Sequence, residues 1–239
     1  MDNQAHMNAS ELLSLLLTAW GPQHWWPGET PFEVAVGAVL TQNTAWTNVQ
    51  KAIVRLRAAD AMSPAALLAL PASTLVELIR PAGYYTVKAG YLRTLAEWVQ
   101  EHAEGDLSSL ASRNPAALRG ELLSLRGIGK ETADSILLYA VGLPVFVIDA
   151  YTLRIASRLG LLPPAARYDD AQHFFHECLP HDARYYNEAH ALLVRLGKTH
   201  CRTRPLCDGC PLAEQCPSTQ DTRAPLPRHM HRSGVGTSS

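Results

Sequence analysis

Apolar positions recur along most of the chain at the i, i+3, i+4, i+7 spacing of a helix with one buried face, and almost nowhere at strand spacing. Leucines at 12, 13, 15, 16 and 17 predict a helix over Glu11–Trp20, with Ser10 as its cap and Gly21-Pro22 as its stop. Thr30-Pro31 opens a second helix, Phe32–Leu40, with Glu33 near the positive end of its dipole. Further helices are predicted over Asn48–Arg57, Ser63–Leu70, Ser73–Ile79, Lys88–Glu101, Leu107–Ser112 and Pro115–Leu125, punctuated by Pro64, Pro71 and Pro81. After a Gly142-Leu143-Pro144 break come Tyr151–Leu159, Tyr168–Cys178 and Arg184–Leu196. The run Val145-Phe146-Val147-Ile148 is the one stretch that could form a strand. Residues 1–9 and the Pro/Ser/Thr/Gly/Arg-rich tail 218–239 carry no pattern and read as disordered.

The pattern tightens over residues 123–151. An apolar helix end at Leu122, Leu123 and Leu125 runs into Gly127-Ile128-Gly129, and a second helix, 130–141, begins at once with Ala133, Ile136, Leu137 and Ala140 on one face. Two glycines leave backbone N–H groups uncovered at a helix N-terminus, where a phosphate is well placed, and Lys130 adds a charge. Ile128 points between the helices. A tight helix–helix turn has the same signature, so the motif gains meaning only from its neighbours in the chain. The apolar run ends at a single carboxylate, Asp149, a fixed distance after the turn, which is how a lone acid would be held against DNA. An N-cap for the next helix is the plainer role for that acid.

Composition narrows the setting. The 239 residues are 47% hydrophobic with a net charge of −1, enough for one large or two small domains. No global field favours nucleic acid, so any DNA surface is a local patch. No stretch of eighteen apolar residues and no signal peptide is visible, which leads us to expect a cytoplasmic protein with no membrane association. Nothing demands more than a monomer or an obligate protein partner.

Four of the five cysteines crowd into Cys201-x5-Cys207-x2-Cys210-x5-Cys216, a metal site rather than a disulfide framework. Four thiolates could hold one Zn²⁺ or one [4Fe–4S] cluster, and a single Cys-x2-Cys knuckle instead of two favours the cluster. Lys198, Arg202 and Arg204 flank the loop. Cys178, alone on a predicted helix, reads as core.

Hairpin, Gly/Pro loop, apolar run and Asp, in that order, resemble the helix-hairpin-helix DNA glycosylases of the endonuclease III superfamily, over residues 10–217. Within it, Trp25-Trp26-Pro27, Gln42-Asn43-Thr44-x-Trp46 and Gly127-Ile128-Gly129-Lys130-Glu131-Thr132-Ala133-Asp134 look like the 3-methyladenine branch. The resemblance implies an all-α, two-lobe fold. A helical domain would span 29–142, with the hairpin at 118–141. An iron–sulfur domain would combine 10–28 with 143–217, its four-cysteine [4Fe–4S] loop having five residues between the first two cysteines where the family usually has six. It also implies an enzyme that acts on damaged double-stranded DNA, at the nucleoid, in base excision repair.

Roles carry over residue by residue. Asp149 would stabilise the sugar cation or handle water. Trp25 or Trp26, with Trp46, would sandwich the base, and each aromatic face favours a cationic alkylpurine by roughly 0.5–2 kcal/mol. Gln42 would fill the gap left by the flipped base, and Tyr84 or Tyr85 would wedge the stack. Gly127, Gly129 and Lys130 would meet phosphate. Lys198 matches a modified lysine near the pocket. Glu131 stands where bifunctional members carry the Schiff-base lysine, so β-lyase chemistry is excluded through that position. A carboxylate there would repel phosphate, and we expect it to have its own partner. The expectation is a monofunctional glycosylase for alkylated purines. The rivals are an endonuclease III-like enzyme for oxidised pyrimidines with weak lyase, a lesion-binding protein without catalysis, and a cysteine-loop module unrelated to DNA.

Overall fold

The structure, a computed structural model, describes residues 7–25 and 28–220. The expectations for Trp26, for residues 1–6 and for 221–239 fall outside them, while the disorder expected over the rest of 1–9 and 218–239 is corrected: Asn8 caps the first helix, Ala9 opens it, and 218–220 lie in a short helix. Among the described residues the regular elements are all helices: α1 Ala9–Trp20, α2 Pro31–Leu40, α3 Trp46–Ala58, α4 Pro64–Ala69, α5 Ala72–Leu78, α6 Tyr85–Ala103, α7 Pro115–Ser124, α8 Lys130–Ser135, α9 Ala150–Arg158, α10 Tyr168–Cys178, α11 Ala183–Thr199 and α12 Pro217–Gln220, with short 3₁₀ and π-helical stretches between them. None of these helices is long and apolar enough to cross a membrane.

Two hydrophobic cores form. The first gathers buried residues from Phe32 to Val145, with α2 at its centre. Every residue of α2 after Pro31 is buried, so this helix is covered on all sides. Its one charge, Glu33, is 2% exposed and is matched by Arg57, whose Nε lies 2.8 Å from Oε2. The second core joins α1 to Leu138, Phe146–Ile148, α9, α10 and α11. The chain therefore leaves the second core after α1, builds the first, and returns.

Several local expectations are corrected. The cap of α1 is Asn8, whose side chain takes the Glu11 N–H while Glu11 takes the Asn8 N–H; Ser10 lies inside the helix. Leu107–Ser112 is a 3₁₀ segment. The helix after the hairpin is α only to Ser135 and continues to Val141 as a π-helical stretch. Cys178 is exposed at the end of α10, not core, because the apolar face of that helix runs through Ala171 and Phe175.

The run Val145–Ile148 is buried but is not a strand. Side chains of α10 take the place of a neighbouring strand. His176 Nε2 accepts the Phe146 N–H at 2.9 Å, Gln172 donates to the Phe146 carbonyl at 2.7 Å, and Tyr168 Oη accepts the Ile148 N–H at 3.3 Å. Buried backbone needs partners of some kind, and these three hold the segment extended up to Asp149.

Candidate active site

A cleft of about 740 Å³ lies between the two cores. The first core contributes Gln42, Trp46, Gly127, Gly129, Lys130 and Glu131, and the second contributes Asp149, His190 and Lys198, with Trp25 beside them. Residues spread from 25 to 198 thus meet in one place. Tyr84 and Tyr85 do not line it.

Asp149 enters from the end of the extended run. Its Oδ1 accepts the Thr152 N–H at 2.7 Å and so caps α9. Its Oδ2 lies 3.7 Å from His190 Nε2, an atom that is buried with no hydrogen-bond partner. On its other side, His190 Nδ1 meets the Tyr139 hydroxyl, in the π-helical stretch, at 2.5 Å. A bare Nε2 lone pair facing a carboxylate would be repulsive. The phenol therefore donates to Nδ1, and Nε2 carries the ring proton toward Asp149. Burial holds His190 below the usual histidine range; Asp149 pulls the other way, and Lys198 adds to the lowering.

Glu131 opens α8 on the facing wall. It makes no hydrogen bond or ion pair among the described residues, contrary to the expectation that it would have a partner. Glu131 is exposed, and it lines the cleft. The surrounding protein, and secondarily Asp149, push it up to about 7, against the pull of the helix N-terminus. Lys198 Nζ lies 5.4 Å over the Trp25 ring. Lys130, expected to face phosphate, instead reaches Asp169 on α10 at 2.5 Å.

The Thr41–Ala45 turn is held from below. The Lys88 ammonium, on a residue 2% exposed, shares its three N–H donors among four oxygens, the carbonyls of Leu40, Gln42 and Ala82 and Thr44 Oγ1, at 2.8–2.9 Å. Burial draws this ammonium down to about 8, and four oxygens around it favour the charged form. Gln42 in turn donates to the Gly127 carbonyl and to Thr132 Oγ1, each at 2.9 Å. The Lys88 cage also fixes the neighbouring turn, where Tyr84 stands in the left-handed region at φ 45° and is 72% exposed. Tyr85 packs on the first core under Arg80.

Gly127 has φ 86°, and a Cβ there would overlap the Tyr91 ring; Gly129 has open space around it. Ile128 is 5% exposed between the hairpin helices. Asp134, fully buried, accepts from Arg119 at 2.6 and 3.0 Å, from Tyr168 at 2.7 Å and from Gln172 at 2.8 Å, tying α7, α8 and α10 together. Sequence reasoning missed the roles of Lys88, Asp134 and His190. A charge inside an apolar helical face marked Lys88, Asp134 closes the hairpin motif, and His190 precedes Lys198 on the same helix with nothing to say that it meets Asp149.

Cys201, Cys207, Cys210 and Cys216 all line a second, small cavity of about 40 Å³, walled by Ile155, Leu159, Leu196 and Leu212. Among the described residues no group of three or more such side chains is placed to hold a single metal ion. A [4Fe–4S] cluster makes a different demand, since each thiolate binds its own iron and the sulfurs surround a shared space. The donor set and its apolar walls suit that group.

Residues 36–181 match the model of the HhH-GPD superfamily base excision DNA repair proteins. The chain is 46% identical over 208 residues to a Methanocaldococcus jannaschii protein named provisionally as a DNA repair glycosylase, covering 86% of this chain and 94% of that one. It is 29% identical to the endonuclease III of Sulfolobus acidocaldarius, over 77% and 81% of the two chains. Among solved structures, endonuclease III trapped covalently on DNA superposes with a TM-score of 0.77 at 23% identity, covering 90% of this chain and 98% of that one. The H. pylori 3-methyladenine DNA glycosylase bound to 1,N6-ethenoadenine gives 0.69 at 30% identity, over 80% and 98%.

Proposed function

The chain belongs to the HhH-GPD superfamily of base excision DNA repair proteins and is a DNA glycosylase; on that premise we propose that it is monofunctional and releases alkylated purines from double-stranded DNA. The observation that carries the proposal is Glu131 lining the same cleft as Asp149. A carboxylate has no lone-pair amine to form an imine, so Asp149 and water are left to open the glycosylic bond. The damaged nucleotide flips into the cleft and its base stacks on Trp25 and Trp46. Asp149 steadies the positive charge growing on the sugar and takes a proton from the water that attacks C1′. The likeness to the 3-methyladenine enzyme supports the purine reading.

Around the cleft, Gln42 would leave its bonds to Gly127 and Thr132 to fill the space the base vacates, and exposed Tyr84 is the wedge in preference to Tyr85. The backbone N–H groups at Gly127 and Gly129 take a phosphate. Lys130, paired with Asp169, contributes less than a free cation would. The four cysteines would hold a [4Fe–4S] cluster, which stiffens the loop after α11 and bears on DNA through its basic neighbours. The protein acts as a monomer at the nucleoid, its two cores serving as the lobes on either side of the duplex.

The test is base release from methylated DNA beside thymine-glycol DNA, with borohydride trapping on abasic DNA. Release of methylpurine with no covalent adduct is expected. A robust adduct overturns the monofunctional reading, and release of thymine glycol alone moves the enzyme to oxidised pyrimidines. Binding of every duplex with no base released would leave a lesion-binding protein.

A further inference from the structure

The geometry points to a second catalytic group in this cleft: Glu131 donates a proton to the departing base, so the enzyme releases neutral damaged bases as well as cationic ones. The inference rests on the glycosylase reading and deepens it.

The two carboxyl groups of the cleft are held in unlike ways. Asp149, from the second core, gives one oxygen to the Thr152 N–H and turns the other toward the His190 ring. That arrangement serves a charged carboxylate. Glu131, from the first core, receives no donor at all and faces the same space, with Asp149 as its nearest negative charge. A pair of carboxyls in contrasting settings divides into one that stays ionised and one that keeps its proton. Its setting brings Glu131 to about 7, where a general acid is both protonated and able to give the proton up. The other titratable groups facing the cleft are Lys130, Tyr139, Tyr151, Tyr168, His190 and Lys198. Lys130 is engaged by Asp169, the buried Tyr139 hydroxyl is pushed well up, and Tyr168 is likewise raised.

Lys198 supplies the second observation. Its ammonium already lies against the Trp25 face. A pocket carrying a fixed cation beside its aromatic wall does not demand a cationic guest. A neutral base is a poorer leaving group, however, and departs faster when it is protonated as the bond breaks. A carboxyl near C1′ reaches the atom nearest the glycosylic bond, N3 of a purine or O2 of a pyrimidine.

In the step itself, the C1′–N bond breaks and its electron pair goes to the base. The Glu131 proton moves to N3 or O2, leaving Glu131 as carboxylate. Water adds to C1′ and gives its proton to Asp149, which passes it to solvent. Glu131 regains a proton through the open mouth of the cleft.

The experiment is single-turnover base release between pH 5.5 and 9 from duplexes carrying 7-methylguanine, which is cationic, and 1,N6-ethenoadenine or thymine glycol, which are neutral. With the unaltered protein, release of a neutral base should be level below pH 7 and fall about tenfold per unit above it. Glu131→Gln should lower that rate by about 10²-fold or more and remove the slope, a loss at least about tenfold larger than the loss on 7-methylguanine. Glu131→Asp should restore part of the neutral-base rate. Equal losses on both kinds of base, an unchanged neutral-base rate in Glu131→Gln, or a flat profile in the unaltered protein would each overturn the assignment. Release of 7-methylguanine with no neutral base released would also overturn it, while leaving the glycosylase reading intact. No release from any duplex would remove both.

Discussion

The two oxygens of Asp149 are used differently, and this makes a clean substitution available. An asparagine at 149 still offers an oxygen to the Thr152 N–H, and Asn caps helices as well as Asp does. The fold and the start of α9 should survive, and only the charge is lost. Asp149→Asn should therefore bind damaged duplex within about threefold of the parent and release base at least about 10²-fold more slowly. Single-turnover release and a binding titration at fixed salt check the pair. Retained release would mean that another group steadies the sugar. Asp149 was legible in the sequence because it ends an apolar run at a set distance from the glycine turn. His190 was not. It sits forty-one residues further on, on the buried face of α11, and only the folded chain brings it to Oδ2.

At the scale of elements, the hairpin separates two roles of its glycines. Gly127 needs its left-handed backbone and its missing Cβ, because the Tyr91 ring occupies that space. Gly127→Ala should cost at least about 1–2 kcal/mol from the backbone alone, read as a lower urea midpoint. Gly129 has an extended backbone and open surroundings. Gly129→Ala should leave the midpoint almost unchanged and weaken DNA binding through the covered anion face. Equal destabilisation by both would mean the turn is purely structural. Most helices were legible for a local reason: Thr30, Ser63, Asn114 and Asp182 each accept a backbone N–H at the helix start. The π-helical stretch and the extended run were not, because both depend on distant partners. Val145–Ile148 has the composition of a strand, and no local rule announces that His176, Tyr168 and Gln172 will supply its hydrogen bonds.

At the scale of the molecule, the four-cysteine cavity borders the second core, with Leu196 and Leu212 common to both. Arg158 ties the loop to α9 through the Arg202 and Thr203 carbonyls, at 2.6 and 3.0 Å. A cluster bound there would brace the lobe that carries Asp149. The purified protein should be brown with about four irons per chain. Cys207→Ser should lose the colour and melt earlier, in spectra and calorimetry taken side by side. A colourless protein with one zinc per chain would replace the cluster with the simpler metal. The resemblance drew attention to this loop, and with five residues between Cys201 and Cys207 the four cysteines line one cavity, where the cluster is our proposal.

The path of the chain has a further consequence. Helix α1 packs on α10 and α11, so its apolar face, with Leu12, Leu13 and Leu16, is covered by residues made about 160 positions later. On the ribosome α1 emerges well before α10 and α11, the helices that cover it. The earlier core, complete by Val145, can close while those leucines wait uncovered. Birth order and assembly order run opposite in the half of the protein that delivers the aspartate, and a nascent chain stalled before α11 would expose an apolar stripe on α1.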